Sequence, residues 1–230
     1  MGDHLVSVLI PVFDVGRYLE ESLRSVLEQD HRPLEAVVVD DGSSDESAAV
    51  ALAVAAEHPE IRVLRHPQNR GPAAARNTAL ADALGDLITF LDADDRMPPD
   101  RLSYQVAYLG DRPDVDIVFG RQEVVVEPGV ALPVWLRQPP ERQPTHYPMS
   151  LMARRELFDV VGEFDPELRV GSDADWLFRA AAANARIEMA DHLMVYRRVH
   201  GTNLTYRDAD LRDSILRSLR GLVARRRAAP

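Results

Sequence analysis

Ile88-Thr89-Phe90-Leu91-Asp92-Ala93-Asp94-Asp95 is the stretch on which the fold turns, because an apolar run ends there in three carboxylates within four positions. A strand buried on both faces of a sheet reads as unbroken apolar sequence, and residues 87–91 fit that pattern. Open α/β sheets place their ligands beyond the carboxyl ends of such strands. Like charges this close repel and raise one another's pKa, so the cluster favours neutralisation by a hard divalent ion or by several donors. Asp-x-Asp at a strand end therefore points to Mg²⁺ or Mn²⁺ held jointly by protein and phosphate. The alternative is a solvated acidic turn in which Asp caps the following helix, since these residues are common in turns.

Working outward, apolar runs rich in β-branched residues recur at 6–13, 34–39, 61–64 and 115–119, and helical patterns separate the first four of the five runs. Leu19, Leu23, Val26 and Leu27 fall at i, i+4, i+7 and i+8, one face of an amphipathic helix. Alternating strand and helix predicts an α/β domain with successive parallel strands and right-handed crossovers. Ser43-Ser44-Asp45 offers a cap for an alanine-rich helix over 47–56. A third crossover spans 72–83, and a fourth starts after Pro98-Pro99, where Pro suits a first helical turn. Residues 127–148 carry six prolines and little periodicity, which reads as a long loop of the lid or binding type. Beyond it come a helix at 154–161, a turn at Gly162, a helix at 173–183 and a strand at 187–199. Residues 211–223, followed by Arg225-Arg226-Arg227, form an amphipathic helix with a basic end. Such a helix either lies on an anionic membrane or partner, or packs on the domain with its cations at the negative end of the helix dipole.

With 230 residues, 46% of them hydrophobic, the chain has material for a sizeable core. A net charge of -10 argues against nucleic acid as a partner, since no broad surface could neutralise phosphates. There is no Cys, which excludes disulfides, thiolate zinc sites and a thiol nucleophile. All 27 basic residues are Arg, so lysine catalysis is excluded as well. No apolar run approaches the ~20 residues of a spanning helix, and the first residues lack the features of a secretory signal. A cytoplasmic protein without a transmembrane segment is expected, with peripheral membrane contact open to the C-terminal basic helix.

The second strand also ends in acids, in Val37-Val38-Val39-Asp40-Asp41-Gly42-Ser43-Ser44-Asp45. An acid after the second strand of a nucleotide-binding α/β unit typically receives ribose hydroxyls or base N–H groups. Yet Pro11-Val12-Phe13-Asp14-Val15-Gly16 lacks the glycine-rich turn of a dinucleotide fold, and no Walker A sequence occurs. A nucleotide held without a glycine cradle leaves its diphosphate in need of a metal and of Arg.

Four segments then carry a resemblance: 6–13 (VSVLIPVF), 39–45 (VDDGSSD), 69–77 (NRGPAAARN) and 90–95 (FLDADD). With 162–168 (GEFDPEL) and 173–179 (DADWLFR), the chain resembles a family 2 glycosyltransferase of the GT-A fold from about residue 6 to 205. The resemblance implies a Rossmann-like mixed sheet flanked by helices, with a donor-binding half over 1–126 and an acceptor-side half over 127–205. It implies an inverting enzyme that uses a nucleotide-diphospho-sugar, most often UDP-linked, with Mn²⁺ or Mg²⁺. Pro11 and Phe13 would then line the base, Asp41 would meet the uracil edge with Asp40 assisting, and Asn69 and Gly71 would shape the loop. Arg76 would approach base or phosphates, or else pair with a neighbouring acid. Asp92 would contact the ribose, Asp94 and His200 would hold the metal, and Asp95 would support them.

By the same resemblance Asp173 is the base. Many relatives have Glu-Asp there, whereas this chain has Ser172-Asp173. Trp176 lines a pocket or belongs to the core. The acceptor, whether saccharide, peptide, lipid or small molecule, is left open, with Trp135, Arg137 and Tyr147 as contacts. Two other readings are a sugar-nucleotide-binding protein with impaired catalysis, which Ser172 favours, and a nucleotidyltransferase, which the missing phosphate loop disfavours.

Overall fold

The computed structural model describes residues 4–130, 142–168 and 171–203. In chain order its elements are β1 (Val6–Val12), α1 (Gly16–Leu27), β2 (Leu34–Asp40), α2 (Ser47–Glu57), β3 (Ile61–Arg65), α3 (Pro72–Asp82) and β4 (Leu87–Phe90). There follow α4 (Arg101–Gly110), β5 (Ile117–Val126), β6 (Gln143–Thr145), β7 (Met152–Arg154), α5 (Arg155–Val161), α6 (Ser172–Ala182) and β8 (Ile187–Val199). Strands β3, β2, β1 and β4 lie side by side and parallel, as the alternation of strand and helix predicts. Beyond β4 the sheet turns antiparallel through β7 to β5, and β5 also pairs β6 antiparallel and β8 parallel. One mixed sheet thus runs from the nucleotide-binding pattern into the C-terminal strands.

Side chains alternate across the sheet with a period of two, so β1 sends Val6, Val8, Ile10 and Val12 to one core and Leu9 to the other. The first core receives Leu19, Leu23 and Val26 of α1, the apolar face read from the sequence. The second holds Val37, Val39, Phe90, Phe164 and Trp176. Trp176 is fully buried, stacks on Phe158 at 4.5 Å and donates its ring N–H to the Gly162 carbonyl at 2.8 Å. Of its two expected roles it takes the core one.

Differences from the sequence reading lie where tertiary pairing acts. The strand expected at 115–119 continues to Val126 because β8 pairs it throughout, from Ile117↔Ile187 to Val126↔Val199. Strands β6 and β7 have three residues each, too short for a period to be read, and β7 is wedged between β4 and β5. Of the trio 43–45, Asp45 is the residue that receives the first N–H of α2, at 2.9 Å from Ser47. Its other oxygen takes the Gly16 N–H at 3.0 Å, so it ties the starts of α1 and α2 together. Burial alone would raise Asp45, but these hydrogen bonds outweigh it and lower its pKa. Trp135, Arg137 and the expected C-terminal helix lie outside the described residues. Among those described, no helix is long and apolar enough to cross a membrane.

Candidate active site

Register decides which residues emerge together. Pairing of Val12 with Asp40 and of Leu9 with Phe90 places the carboxyl ends of β1, β2 and β4 along one edge, from which Phe13, Asp41 and Asp92 leave the sheet. Pro11 is half-buried in β1, and Phe13 is 45% exposed rather than packed in the core. Asp14, in the left-handed region at φ 50°, receives the Ser44 N–H at 2.8 Å and pins the Phe13 turn to the neighbouring loop.

Asp41 is buried and held by the chain itself. Its Oδ1 lies 2.6 Å from His66 Nδ1, Gly71 N–H donates to Oδ2 at 2.8 Å, and Arg70 N–H is shared between the two oxygens. Three donors leave about one of the roughly four acceptor positions of a carboxylate for a ligand. Gly42 makes this junction possible: at φ +73° a Cβ would stand 2.6 Å from the Gln68 backbone, so only glycine fits. Asn69 is exposed beside it, and Gly71, at φ 92°, opens α3. Asp40 differs from expectation. Fully buried, it accepts the Ser43 N–H at 3.1 Å and faces Arg65 Nε at 2.9 Å, so it braces the turn rather than lining a pocket.

At the end of β4 the three aspartates separate. Asp92 Oδ1 faces Arg76 Nη2 at 3.3 Å, so the pairing foreseen for Arg76 does occur, and 34% of the Asp92 side chain stays accessible. The Arg76 guanidinium also lies 5.9 Å from the Phe164 ring, while its Nε is buried without a partner. Burial, and the carboxylates of Asp94 and Asp173, push Asp92 up against the pull of Arg76 and Arg197. Asp95 is raised well above the usual carboxylate range by burial and by Asp94 and Asp92. Beneath them Arg101 is wholly buried and donates to the Thr89 hydroxyl and the Leu151 carbonyl. Burial pulls its guanidinium down to about 9, against the attraction of Asp95, and it still carries its proton at neutral pH.

The C-terminal end of β8 is brought over this cluster by backbone bonds. Arg96 and Tyr196 exchange N–H···O bonds of 3.2 and 2.9 Å, and Arg198 N–H donates to Asp95 Oδ1 at 2.8 Å. His200 Nε2 consequently lies 3.0 Å from Asp94 Oδ2, an oxygen that Asn203 Nδ2 also reaches at 2.9 Å. Among the described residues no three or more His, Asp or Glu side chains form a metal cage. Asp94 and His200 would offer a divalent ion one carboxylate and one imidazole. That fits Mn²⁺ or Mg²⁺, which commonly bind through one or two protein groups with substrate phosphates completing the shell.

Asp173 sits in the first turn of α6, where its Oδ1 accepts the Ala174 N–H at 2.9 Å, and the N-cap position belongs to Gly171. The Asp173 charge adds, after burial and Asp94, to the upward shift of Asp92. Asp175, by contrast, is buried and holds Arg179 at 2.8 Å. Ser172 is buried next to it. Tyr147 is 39% exposed, with the Arg197 guanidinium 5.1 Å from its ring. The sequence reading passed over Asn203, Tyr18, Glu127 and His66, none of which has a motif of its own. Asn203 lay three residues after His200, and Glu127 opened the loop read at 127–148.

The model of glycosyl transferase family 2 matches residues 7–166. The chain belongs to that family. An uncharacterized glycosyltransferase of Haemophilus influenzae is 37% identical over 109 residues, which is 47% of this chain and 44% of that protein. Among solved structures, S. aureus TarS 1-349 in complex with UDP is 25% identical with a TM-score of 0.68, covering 85% of this chain and 61% of that one. Mannosyltransferase PcManGT from Pyrobaculum calidifontis, in complex with GDP-Man and Mn²⁺, is 24% identical with a TM-score of 0.67, over 98% of this chain and 64% of that one. The fold is accordingly GT-A, as the motifs implied, with the family 2 segments on the carboxyl edge of its parallel strands. This chain spans less than half the length of the Haemophilus relative and under two thirds of either solved neighbour.

Proposed function

We propose that this family 2 protein is an inverting, metal-dependent glycosyltransferase that moves a sugar from a nucleotide-diphospho-sugar, with UDP as the nucleotide, to a hydroxyl or other nucleophile of an acceptor. The observation that carries the reading is the meeting of Asp94 and His200 at 3.0 Å beside the Asp92–Arg76 pair, on the edge where Phe13 is exposed. Exposed Phe13 and Pro11 supply a flat apolar platform for the base. Asp41 keeps one acceptor position for its N–H edge, and Asn69 and Gly71 bound the loop. The accessible carboxylate of Asp92 accepts from ribose hydroxyls, and Arg76 contributes positive charge toward the phosphates. Asp94 and His200 would hold a divalent cation, which would supply Lewis-acid neutralisation of the leaving diphosphate.

Asp173 takes the proton of the acceptor as its oxygen forms the new bond at the anomeric carbon and the bond to the diphosphate oxygen breaks. UDP is favoured over other nucleotides because TarS, at 25% identity, was solved with it. We further assign the acceptor side to residues 127–205, with Tyr147 at its exposed rim. Asp173→Asn is expected to reduce UDP release from UDP-sugars by a hundredfold or more, roughly the worth of a general base, while UDP affinity by calorimetry stays unchanged. Wild-type binding without turnover across a broad acceptor panel would instead favour the impaired, binding-only protein. Asp94→Ala is expected to remove the Mn²⁺ dependence of UDP binding. If that dependence survives intact, the metal assignment is wrong.

A further inference from the structure

Three elements converge on the imidazole that faces Asp94. The first turn of α1 brings Tyr18, the residue after β5 is Glu127, and the residue after β8 is His200. The rings of Tyr18 and His200 stack with centroids 4.6 Å apart and planes 29° apart. At its far end the Tyr18 hydroxyl donates to Glu127 Oε2 at 3.1 Å. Glu127 is itself anchored, through its N–H to the Val199 carbonyl at 3.0 Å and through Arg17 at 3.7 Å. The Arg17 and Arg198 guanidinium carbons lie 5.2 and 5.0 Å from the Tyr18 ring centroid.

His200 Nδ1 meets the Thr202 hydroxyl at 2.8 Å, a bond to a residue of its own turn. That bond orders the ring edge, and Asn203 Nδ2, at 2.9 Å from Asp94 Oδ2, ties the turn to the same carboxylate. Neither contact holds the face of the ring, which the stacked wall supplied by α1, a distant element, does. We propose that Tyr18 is a positioning residue for His200: it holds the imidazole with Nε2 toward Asp94, while Glu127 holds Tyr18 from behind. The arrangement follows a general rule of metal sites, in which outer contacts orient the ligating ring and their loss weakens the metal. It rests on the reading of His200 as a metal ligand. Tyr18 itself touches neither donor nor metal in this scheme.

A double-mutant cycle read by calorimetry separates the two claims. UDP affinity is measured with saturating Mn²⁺ and again with a chelator, for wild type, Tyr18→Leu, His200→Ala and the double variant. Tyr18→Leu is expected to weaken the Mn²⁺-supported affinity roughly three- to tenfold, the worth of an aromatic stack, and to leave the chelator value unchanged. On the His200→Ala background it is expected to add nothing. A His200→Ala protein with undiminished Mn²⁺-supported affinity overturns the reading of His200, and the proposal with it. If His200→Ala does weaken binding but Tyr18→Leu costs the same factor in its presence, His200 keeps its role and Tyr18 loses the one proposed. Should Tyr18→Leu fold poorly, Tyr18→Phe removes only the hydroxyl tie, whereas Glu127→Ala removes that tie together with the Arg17 pair. Both are expected to weaken binding by smaller factors that vanish with His200→Ala, and persistence of those factors overturns the proposal.

Discussion

An aromatic residue next to a central strand is normally drawn into the core, and Phe13 is instead 45% exposed. Exposure of that ring costs apolar burial that a nucleobase would restore. Phe13→Ala is therefore expected to weaken UDP binding by about tenfold or more, from the ~1–3 kcal/mol of base stacking. Folding stability should change by less than about 0.5 kcal/mol, as for most surface positions. Calorimetry with UDP and a urea melt measure the two quantities separately. A large loss of stability with unchanged binding would return Phe13 to a packing role. Neighbours on the edge differ in what they meet: Asp41 accepts the Gly71 N–H where the chain has left the sheet, whereas Asp40, the last residue of β2, is fully buried between the Ser43 N–H and Arg65.

At the scale of elements, the contact between α3 and the 162–168 turn holds two parts of the site together. Asn77 Nδ2 donates to the Phe164 carbonyl at 2.8 Å, and Phe164 N–H donates to Asn77 Oδ1 at 2.9 Å. Phe164 packs edge-on against Phe90 at 5.6 Å and stacks with Trp176 of α6, the helix that carries Asp173. Asn77→Leu keeps the branched shape and strands both backbone groups. The expected cost is about 2 kcal/mol, the penalty for unpaired buried polar groups, read as a lower urea midpoint at unchanged slope. The long elements were legible because several turns of period 3.6 or several residues of period two accumulate into a signal. The α1 face of Leu19, Leu23 and Val26 is such a case. In three residues no period accumulates, so β6 and β7 went unread although β7 joins the two halves of the sheet.

For the molecule as a whole, the acidic edge sets how stability responds to pH. Asp92 and Asp95 have folded-state pKa values raised above their ordinary value of 3.8. The folded protein then binds more protons than the unfolded chain above that value, so stability falls as pH rises through the raised pKa values. Asp45 and Glu188 are lowered and act oppositely, losing their contribution only as pH falls through the acid range. In a chelator, the melting temperature is expected to rise as pH is lowered through the raised pKa values of Asp92 and Asp95, before acid unfolding sets in. Asp95→Asn should flatten that slope, and an unchanged slope would count against the repulsion described. Mn²⁺ with UDP is expected to raise the melting temperature at neutral pH, as a ligand of the folded state must.

What was legible without coordinates was whatever short-range chemistry writes into neighbouring positions: the alternation of strand and helix, carboxylates at two strand ends, the missing glycine cradle and the order of the family 2 segments. Those features limited the chain to a GT-A sheet and pointed to its functional edge. Which carboxylates face outward, and which distant side chains meet them, depended on pairings more than a hundred residues apart, such as His200 with Asp94 and Tyr18 with Glu127. Sequence patterns carry periods and caps because these arise between residues close along the chain. A contact made by the register of β8 on β5 and the bridge of Tyr196 to Arg96 has no local signature, and only the folded sheet brings it about.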